Sequence, residues 1–161
     1  MRAFIAAIAC CLPLACAAAR FDAVVSHVTD GDTVWVRPLA GGPPQQVRIE
    51  GIDAPEICQA FGERSRDALA ARVLRKRVTL LTRGEDDFRR TVARIRLERE
   101  DVGGWMVSQG YAWSYRFRRD AGPYRHEERS AQLARRGLWA SGSAELPRDF
   151  RVRHGPCTAA P

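Results

Sequence analysis

The sequence predicts an α+β fold that is mainly β. Its first half alternates apolar and polar residues with the period of two that marks β-strands, and the period changes to helical spacing at Gly62. Two further strand patterns and two further helical patterns follow. Short strands joined by turns, with one helix between the third and fourth strands, are typical of a five-stranded Greek-key barrel of the OB type. We therefore expect an OB-fold barrel with three helices attached.

Three strands are predicted before the first helix, at residues 24–29, 33–36 and 46–52. Asp30-Gly31 separates the first two strands and is a turn signal typical of a hairpin. A Gly-Gly-Pro-Pro turn precedes the third strand.

The third strand contains a conflict. Strict alternation places Arg48 and Asp53 on opposite faces of the sheet, although both are candidates for one site. A glycine inside a strand often marks a β-bulge, which shifts the alternation by one residue. We therefore predict a bulge at Gly51 that brings both side chains together.

The second half of the chain mixes helices and strands. Asp101 is suited to cap a short helix and Gly110 to close it, and Gly84 opens a polar loop. The predicted elements are a helix at residues 62–75, strands at 78–82 and 91–97, the short helix at 102–110, and a last helix at 123–136.

The first 19 residues read as a secretory signal peptide. A basic start precedes a short apolar stretch and a run of small residues, and the apolar stretch is too short to span a bilayer. Cleavage after Ala17 or Ala19 fits this pattern. Lipoprotein processing at Cys16 is the weaker alternative, because Pro13 stands where that signal prefers leucine. We expect an exported protein, periplasmic or secreted, without a membrane anchor.

Removal of the leader leaves about 140 residues, which is enough for one domain with a core. We assign residues 20–140 to this domain and residues 141–161, which are rich in Ser, Gly and Pro, to an extended tail. The net charge of +7 suits a polyanionic partner, although charge alone only supports nucleic-acid binding. We expect a monomer.

Two of the five cysteines, Cys58 and Cys157, lie outside the leader. An even number of cysteines in an exported chain favours a disulfide. The alternative is two unpaired thiols, because the sequence does not reveal whether the two residues meet.

Residues 47–56 hold the main candidate functional residues, Arg48, Asp53 and Glu56, near the end of one strand. An arginine offers a planar fork to phosphate oxygens, one carboxylate can hold a hard metal ion, and another can take a proton from water. For Arg48 or Glu56 alone a surface ion pair is the default interpretation. The stretch gains specificity from flanking segments, Asp30-Gly31-Asp32-Thr33 before it and Arg90-Thr91-Val92-Ala93-Arg94 after it.

These segments, followed by Gly137-Leu138-Trp139, resemble the staphylococcal nuclease (thermonuclease) family in order and spacing over residues 24–139. Residues 147–151, Pro-Arg-Asp-Phe-Arg, also resemble the tail of exported bacterial members. The resemblance implies an OB-fold enzyme that uses Ca²⁺ to hydrolyse DNA and RNA without regard to the sugar. By the same analogy its products carry a 3′-phosphate and a 5′-hydroxyl.

The resemblance also implies roles for individual residues. Asp32 and Asp53 match the calcium carboxylates, and Ala54 stands where the ligand is a main-chain carbonyl. Arg48 and Arg90 match the arginines that grip the scissile phosphate. Glu56 matches the glutamate near the attacking water, as general base or as the group that orients that water. Asp30 is better suited to the turn than to the metal.

The loop before Arg90 departs from the family pattern of a basic residue, a tyrosine and a glycine. Asp87 reverses a favourable charge, and Phe88 cannot donate a hydrogen bond to phosphate. Arg89 is the candidate for restoring that attraction and for binding substrate.

Four aromatic residues alternate before two arginines, at positions 111, 113, 115 and 117. They suit the stacking of nucleic-acid bases, and they equally suit the packing of an extended segment. Tyr115 is the best candidate for a base contact. The three histidines show no metal-ligand spacing.

Two other functions compete with a nuclease. A non-catalytic OB module that binds nucleic acid has no need for the complete charged set of Asp32, Arg48, Asp53, Glu56 and Arg90. A structural envelope protein held by a Cys58–Cys157 bond explains the leader and the cysteines but not that set.

Overall fold

The computed structural model describes residues 19–116, 120–142, 144–155 and 157. The predicted signal peptide lies outside the described residues except for Ala19, and it stays a prediction. Within the described ranges, no helix has the length and apolar character needed to cross a membrane.

Five strands close into a barrel. The strands are β1 (Arg20–Val28), β2 (Thr33–Pro38), β3 (Gln45–Ile49), β5 (Arg77–Glu85) and β6 (Thr91–Leu97), with the short β4 (Ile52–Asp53), β7 (Glu100–Asp101) and β8 (Trp113–Ser114) outside the ring. The hydrogen-bonded order in the ring is β3-β2-β1-β5-β6, and a further pairing of β3 with β6 closes it. The closing pair is parallel and the other pairs are antiparallel. The predicted OB-type barrel is confirmed.

Alternate residues of the barrel strands fill its interior. Each strand contributes β-branched or small apolar side chains, which pack well on a pleated and half-buried surface. The helices add Leu69 and Met106 to the same cluster. The fully buried side chains from the strands include Val25, Val34, Val36, Val47, Ile49, Val78, Leu80 and Ile95.

Four α-helices accompany the barrel, one more than predicted: α1 (Gly62–Val73), α2 (Val102–Ser108), α3 (Arg125–Leu133) and α4 (Pro147–His154). The carboxylate of Asp101 accepts a hydrogen bond from the Gly104 amide at 3.2 Å, so the predicted N-cap of α2 is confirmed. A short 3₁₀ helix, Gly137–Trp139, follows α3.

The additional helix corrects the prediction of an extended tail. The Ser, Gly and Pro residues around α4 indicated an extended segment, and the helix, whose first residue is Pro147, was therefore not predicted. Proline suits this place because the first helical residue has no intrahelical partner for its amide and the ring fixes a helical φ. The domain boundaries at residues 19 and 140 remain predictions.

A turn, and not a bulge, separates β3 from β4. Glu50 and Gly51 leave the strand, and Gly51 adopts φ of +81°. A Cβ at Gly51 would also lie 2.6 Å from Cγ of Pro123, so conformation and packing both require glycine. The predicted bulge was wrong in kind, but the turn has the predicted consequence that Arg48 and Asp53 meet.

Candidate active site

The barrel brings three distant segments to one edge. Thr33 of β2 pairs with Arg48 of β3, and Arg48 pairs in turn with Val92 of β6. Asp32 and Arg90 lie immediately before β2 and β6. Closure of the ring through the parallel β3–β6 pair therefore gathers residues that are about sixty positions apart in the sequence.

Arg48 is the centre of the charge cluster. Its Nη1 lies 2.5 Å from Oδ1 of Asp32, and its Nη2 lies 3.2 Å from Oδ1 of Asp53. Nη2 also donates to the Ile52 carbonyl at 3.2 Å. The side chain of Arg48 is only 19% exposed, so one guanidinium joins two largely buried carboxylates.

The two carboxylates have different surroundings. Burial alone raises the pKa of Asp32, but the charge of Arg48 and a 3.0 Å hydrogen bond from the Ala54 amide hold that pKa below its ordinary value. Burial and the charge of Asp32 raise the pKa of Asp53. The same two causes raise the pKa of Asp30. Burial and the mutual repulsion of the carboxylates therefore oppose negative charge at this edge, and Arg48 offsets both effects at Asp32.

This donor set fits a hard cation. Asp32 and Asp53 converge on one guanidinium with carboxylate oxygens, which are the ligands that Ca²⁺ prefers, and their crowding is relieved by added positive charge. In the described part of the chain, no group of three or more His, Cys, Asp or Glu side chains is placed to hold a metal. The assignment of Asp32 and Asp53 as metal ligands stays a prediction.

Arg90 is fixed by Asp86. The Asp86 carboxylate accepts from Nε of Arg90 at 2.8 Å, lies 2.7 Å from its Nη2, and accepts from its amide at 3.0 Å. Nη1 of Arg90 donates to Oγ1 of Thr33 at 3.4 Å, and the guanidinium lies 5.2 Å from the centre of the Phe88 ring. Burial alone raises the pKa of Asp86, but its hydrogen bonds with Arg90 hold the pKa below its usual value.

Glu56 meets a residue from the last helix. Its Oε1 lies 2.5 Å from Nη1 of Arg151 in α4, and the same nitrogen lies 3.6 Å from Oδ1 of Asp53. The Glu56 side chain is 25% exposed, so it is reachable by water as well as by Arg151. Arg151 is thereby part of the same charge network as Arg48.

A cleft of about 620 Å³ opens over this network. Tyr115 is 44% exposed and lines both this cleft and a neighbouring one of about 550 Å³, which Asp53 also lines. The residues around the first cleft include Asp30, Asp32, Arg48, Ala54, Glu56, Asp86, Phe88, Arg90, Tyr115 and Arg151. The structure therefore brings Arg48, Glu56, Arg90, Asp32 and Ala54 to one opening. Asp53 lines the neighbouring cleft and is joined to the first through its contact with Arg48.

The other predicted substrate contacts lie in different surroundings. Arg89 is exposed with φ of +61° and does not line the cleft in the described structure, so its contact with substrate stays a prediction. Tyr111 stacks on Phe61 with ring centres 6.0 Å apart, which favours packing for that aromatic. Trp113 is likewise buried against Trp139. Phe117 lies outside the described residues, and the base contact of Tyr115 stays a prediction.

The predicted disulfide is formed. Cys58 and Cys157 are joined with Cα atoms 5.7 Å apart across a sequence separation of 99 residues. The bond fastens the segment after α4 to the loop that carries Glu56.

Two residues of the site were missed by sequence reasoning. Asp86 was assigned only to a polar loop, and its position four residues before Arg90 was the available signal. Arg151 lies in the Pro-Arg-Asp-Phe-Arg segment that resembles exported relatives, close to a cysteine expected to bond near Glu56. That pairing was the signal that could have placed Arg151 near the site.

Comparison with known proteins identifies the family. Residues 46–141 match the family described as Staphylococcal nuclease homologue. A Haemophilus influenzae protein named "Uncharacterized endonuclease" is 34% identical over 137 residues, which cover 85% of this chain and 76% of the relative. The Escherichia coli protein ParB is 39% identical over 138 residues, covering 79% and 77% of the two chains. A Shigella flexneri protein named "Micrococcal nuclease" is 34% identical over 145 residues, covering 83% and 82%. The chain therefore belongs to the staphylococcal nuclease family.

Proposed function

We propose that this chain is an exported, Ca²⁺-dependent nuclease that cleaves both DNA and RNA and leaves 3′-phosphate and 5′-hydroxyl ends. The chain is a nuclease, a hydrolase of phosphodiester bonds. Our proposal concerns its metal, its range of substrates, its products and its location. The observation that carries it is a cleft lined by Arg48, Arg90, Glu56 and Asp32, together with the contact of Arg48 with Asp53, which lines the neighbouring cleft.

The two arginines bind the scissile phosphate in this proposal. Arg48 and Arg90 line the same cleft. Asp32 fixes Arg48 and Asp86 fixes Arg90, which lowers the entropic cost of holding each guanidinium in place around substrate. A guanidinium fork matches phosphate oxygens and opposes the charge that builds in the transition state. Base-specific contacts are not needed for this chemistry, which supports action on both DNA and RNA.

Glu56 acts on the attacking water. It lines the cleft together with Arg48, and its carboxylate is exposed enough to contact solvent. A carboxylate in this place either accepts the proton of the water or orients the water for attack on phosphorus. Departure of the 5′ oxygen then leaves the phosphate on the 3′ side.

Calcium would be held by Asp32 and Asp53, with the main-chain carbonyl of Ala54 as a further ligand. When bound, the ion supplies positive charge for the phosphate oxygens and helps to place the nucleophile. The raised pKa of Asp53 supports this assignment, because a carboxylate crowded by burial and by Asp32 is stabilised by an added cation.

Export is supported by the predicted leader and by the disulfide, since structural disulfides persist in oxidising compartments. We propose a monomer in the periplasm or medium, with cleavage after Ala17 or Ala19. Fractionation and mass measurement of the mature chain test this, and a lipid attached at Cys16 would contradict it.

The experiment is digestion of single-stranded DNA and of RNA by the purified mature domain, with Ca²⁺ and then with chelator. We expect Ca²⁺-dependent cleavage of both, with new 5′ ends that polynucleotide kinase labels without prior dephosphorylation. Tight binding without cleavage under every metal tried would favour the non-catalytic module instead.

A matched pair of variants tests the metal assignment. Asp53→Asn should move the calcium titration of activity to higher concentration, because it removes a ligand charge. Asp67→Asn changes an exposed carboxylate on α1 that pairs with Arg66, and it should leave the titration unchanged. Equal titrations for the two variants would remove Asp53 from the metal site.

A further inference from the structure

Three links join the Glu56 loop to the C-terminal segment. Buried Gln59 accepts a hydrogen bond from the Glu56 amide at 3.1 Å and donates another to the Glu145 carbonyl at 2.8 Å. Glu145 precedes α4, and the disulfide joins Cys58 to Cys157, which follows the C-terminal end of α4. Arg151, between these two attachments, forms the third link through its ion pair with Glu56. The C-terminal segment is therefore fastened on both sides of the Glu56–Arg151 contact.

The Arg151 contact fixes the carboxylate of Glu56. Among the described residues, Arg151 is the one side chain that hydrogen-bonds this carboxylate, at 2.5 Å. The Glu56 backbone is held separately by Gln59. A glutamate side chain that is 25% exposed and has no such partner populates several rotamers. Each rotamer would place the carboxylate at a different distance from the attacking water.

Arg151 also connects Glu56 to the proposed metal ligand. Its Nη1 lies 3.6 Å from Oδ1 of Asp53, and Asp53 lies 3.2 Å from Nη2 of Arg48. Burial alone lowers the pKa of Arg151, but the hydrogen bond with Glu56 and the charge of Asp53 raise that pKa by more, so the guanidinium stays charged. One guanidinium thus sets the relative position of two carboxylates with different tasks.

We propose that Arg151 is a positioning residue for Glu56, and that the C-terminal segment completes the active site by delivering it. This inference rests on the proposed function and adds to it a residue outside residues 46–141, the part that matches the family. Arg151 acts through Glu56, holding the carboxylate where it meets the attacking water. The two flanking attachments, at Gln59 and at the disulfide, keep Arg151 in place during turnover.

The test compares Arg151→Ala, Arg151→Lys and a matched control, Arg153→Ala. Arg153 is on the same helix, is exposed, pairs with Glu145 and lines neither cleft. Arg151→Ala should lower kcat about 10- to 100-fold with little change in KM, the usual loss when a partner that orients an active-site group is removed. Arg151→Lys should recover part of kcat, and Arg153→Ala should retain wild-type kinetics.

A double-mutant cycle tells positioning from direct contact with substrate. If Arg151 acts through Glu56, adding Arg151→Ala to Glu56→Gln produces no further loss of residual kcat. If the kcat losses of the two single variants multiply in the double variant, or if Arg151→Ala raises only KM, the proposal is overturned in favour of a phosphate contact. A higher kcat for Arg151→Ala would overturn it in favour of an inhibitory contact.

Thermal melts of each variant separate this result from loss of the fold. If Arg151→Ala melts below the assay temperature, Arg151→Gln replaces it in the same cycle, because glutamine keeps a hydrogen-bond donor without the charge. Wild-type protein that fails to cleave nucleic acid contradicts the proposed function. Wild-type cleavage with full activity in the Arg151 variants contradicts only the role of Arg151.

Discussion

Replacing Arg48 with methionine should destabilise the protein as well as inactivate it. Methionine keeps much of the side-chain volume but removes the charge shared by Asp32 and Asp53. Both carboxylates are then left largely buried without their main partner, with side-chain exposures of 6% and 10%. The free energy of unfolding should fall for this electrostatic reason and not through a cavity.

The expected loss is about 3 kcal/mol. Removing one partner of a buried ion pair costs about 3 to 5 kcal/mol. We take the lower end because Arg48 itself is 19% exposed and Asp32 keeps its hydrogen bonds from the Ala54 amide and the Thr33 hydroxyl. With an m-value of about 1.5 kcal/mol/M, this loss lowers the urea midpoint by about 2 M.

The assay is urea unfolding in chelator, followed by fluorescence, with Arg66→Met as the control. Arg66 pairs with Asp67 on the exposed surface of α1, where an ion pair contributes about 0 to 1 kcal/mol. Adding Asp53→Asn to Arg48→Met should recover part of the loss, because it removes one of the two crowded charges. A loss below about 1 kcal/mol for Arg48→Met, equal to that of the control, would refute the charge balance assigned to this cluster.

Three further predictions concern the surroundings of the site. Asp86→Ala should lower kcat by about 10- to 100-fold by releasing Arg90, and steady-state kinetics at saturating substrate would reveal it; unchanged kcat would count against the Asp86 contact. The double variant Cys58→Ser, Cys157→Ser should lose up to about 4.7 kcal/mol in urea unfolding, the chain-entropy value for a loop of this length, and unaltered stability would contradict that constraint. Hydrogen bonds from Arg77 and Thr79 hold the pKa of Asp22 below its ordinary value of 3.8, so its contribution to stability is present above that pH and is lost as the pH falls below it. Asp22→Asn should therefore flatten stability against pH on the acid side, and an identical acid profile would exclude this contribution.

The barrel follows from local sequence signals. Alternation in β2, the Asp30-Gly31 turn and the change of period at Gly62 all act over a few residues, and the structure confirms each of them. The alternation predicted for β1 is interrupted by a bulge between Val25 and His27, so Val25 and Val28 are both buried. Gly31 also has a long-range reason, since a Cβ there would lie 1.9 Å from Oγ of buried Ser65 in α1. Local pattern and tertiary packing therefore agree at this turn.

The geometry of the third strand needed tertiary information. A glycine in a strand signals irregular backbone, but the sequence did not distinguish a bulge from a turn. Close packing of Pro123 on Gly51 comes from a segment more than seventy residues later. The contact of Arg48 with Asp53 was predicted because both residues were candidates for one site, and the turn at Gly51 is what brings them together.

The C-terminal helix was the main omission. Its eight residues carry no apolar face that periodicity could detect, and charged and polar residues dominate them. The helix is placed by contacts from a distant segment, namely the disulfide, Gln59 and Glu56. Arg151 therefore joins the site through long-range contacts that no local pattern contains.

The most direct test of the active site compares Glu56→Gln with Glu63→Gln in cleavage of single-stranded DNA at saturating Ca²⁺. Glu63 is an exposed glutamate in the first turn of α1, so its variant controls for loss of one negative charge near the same loop. We predict that Glu56→Gln lowers kcat by about 10²- to 10⁴-fold with an unchanged circular dichroism spectrum, whereas Glu63→Gln keeps wild-type activity. Cleavage by Glu56→Gln within a few-fold of wild type would contradict the assignment of this cleft as the catalytic site.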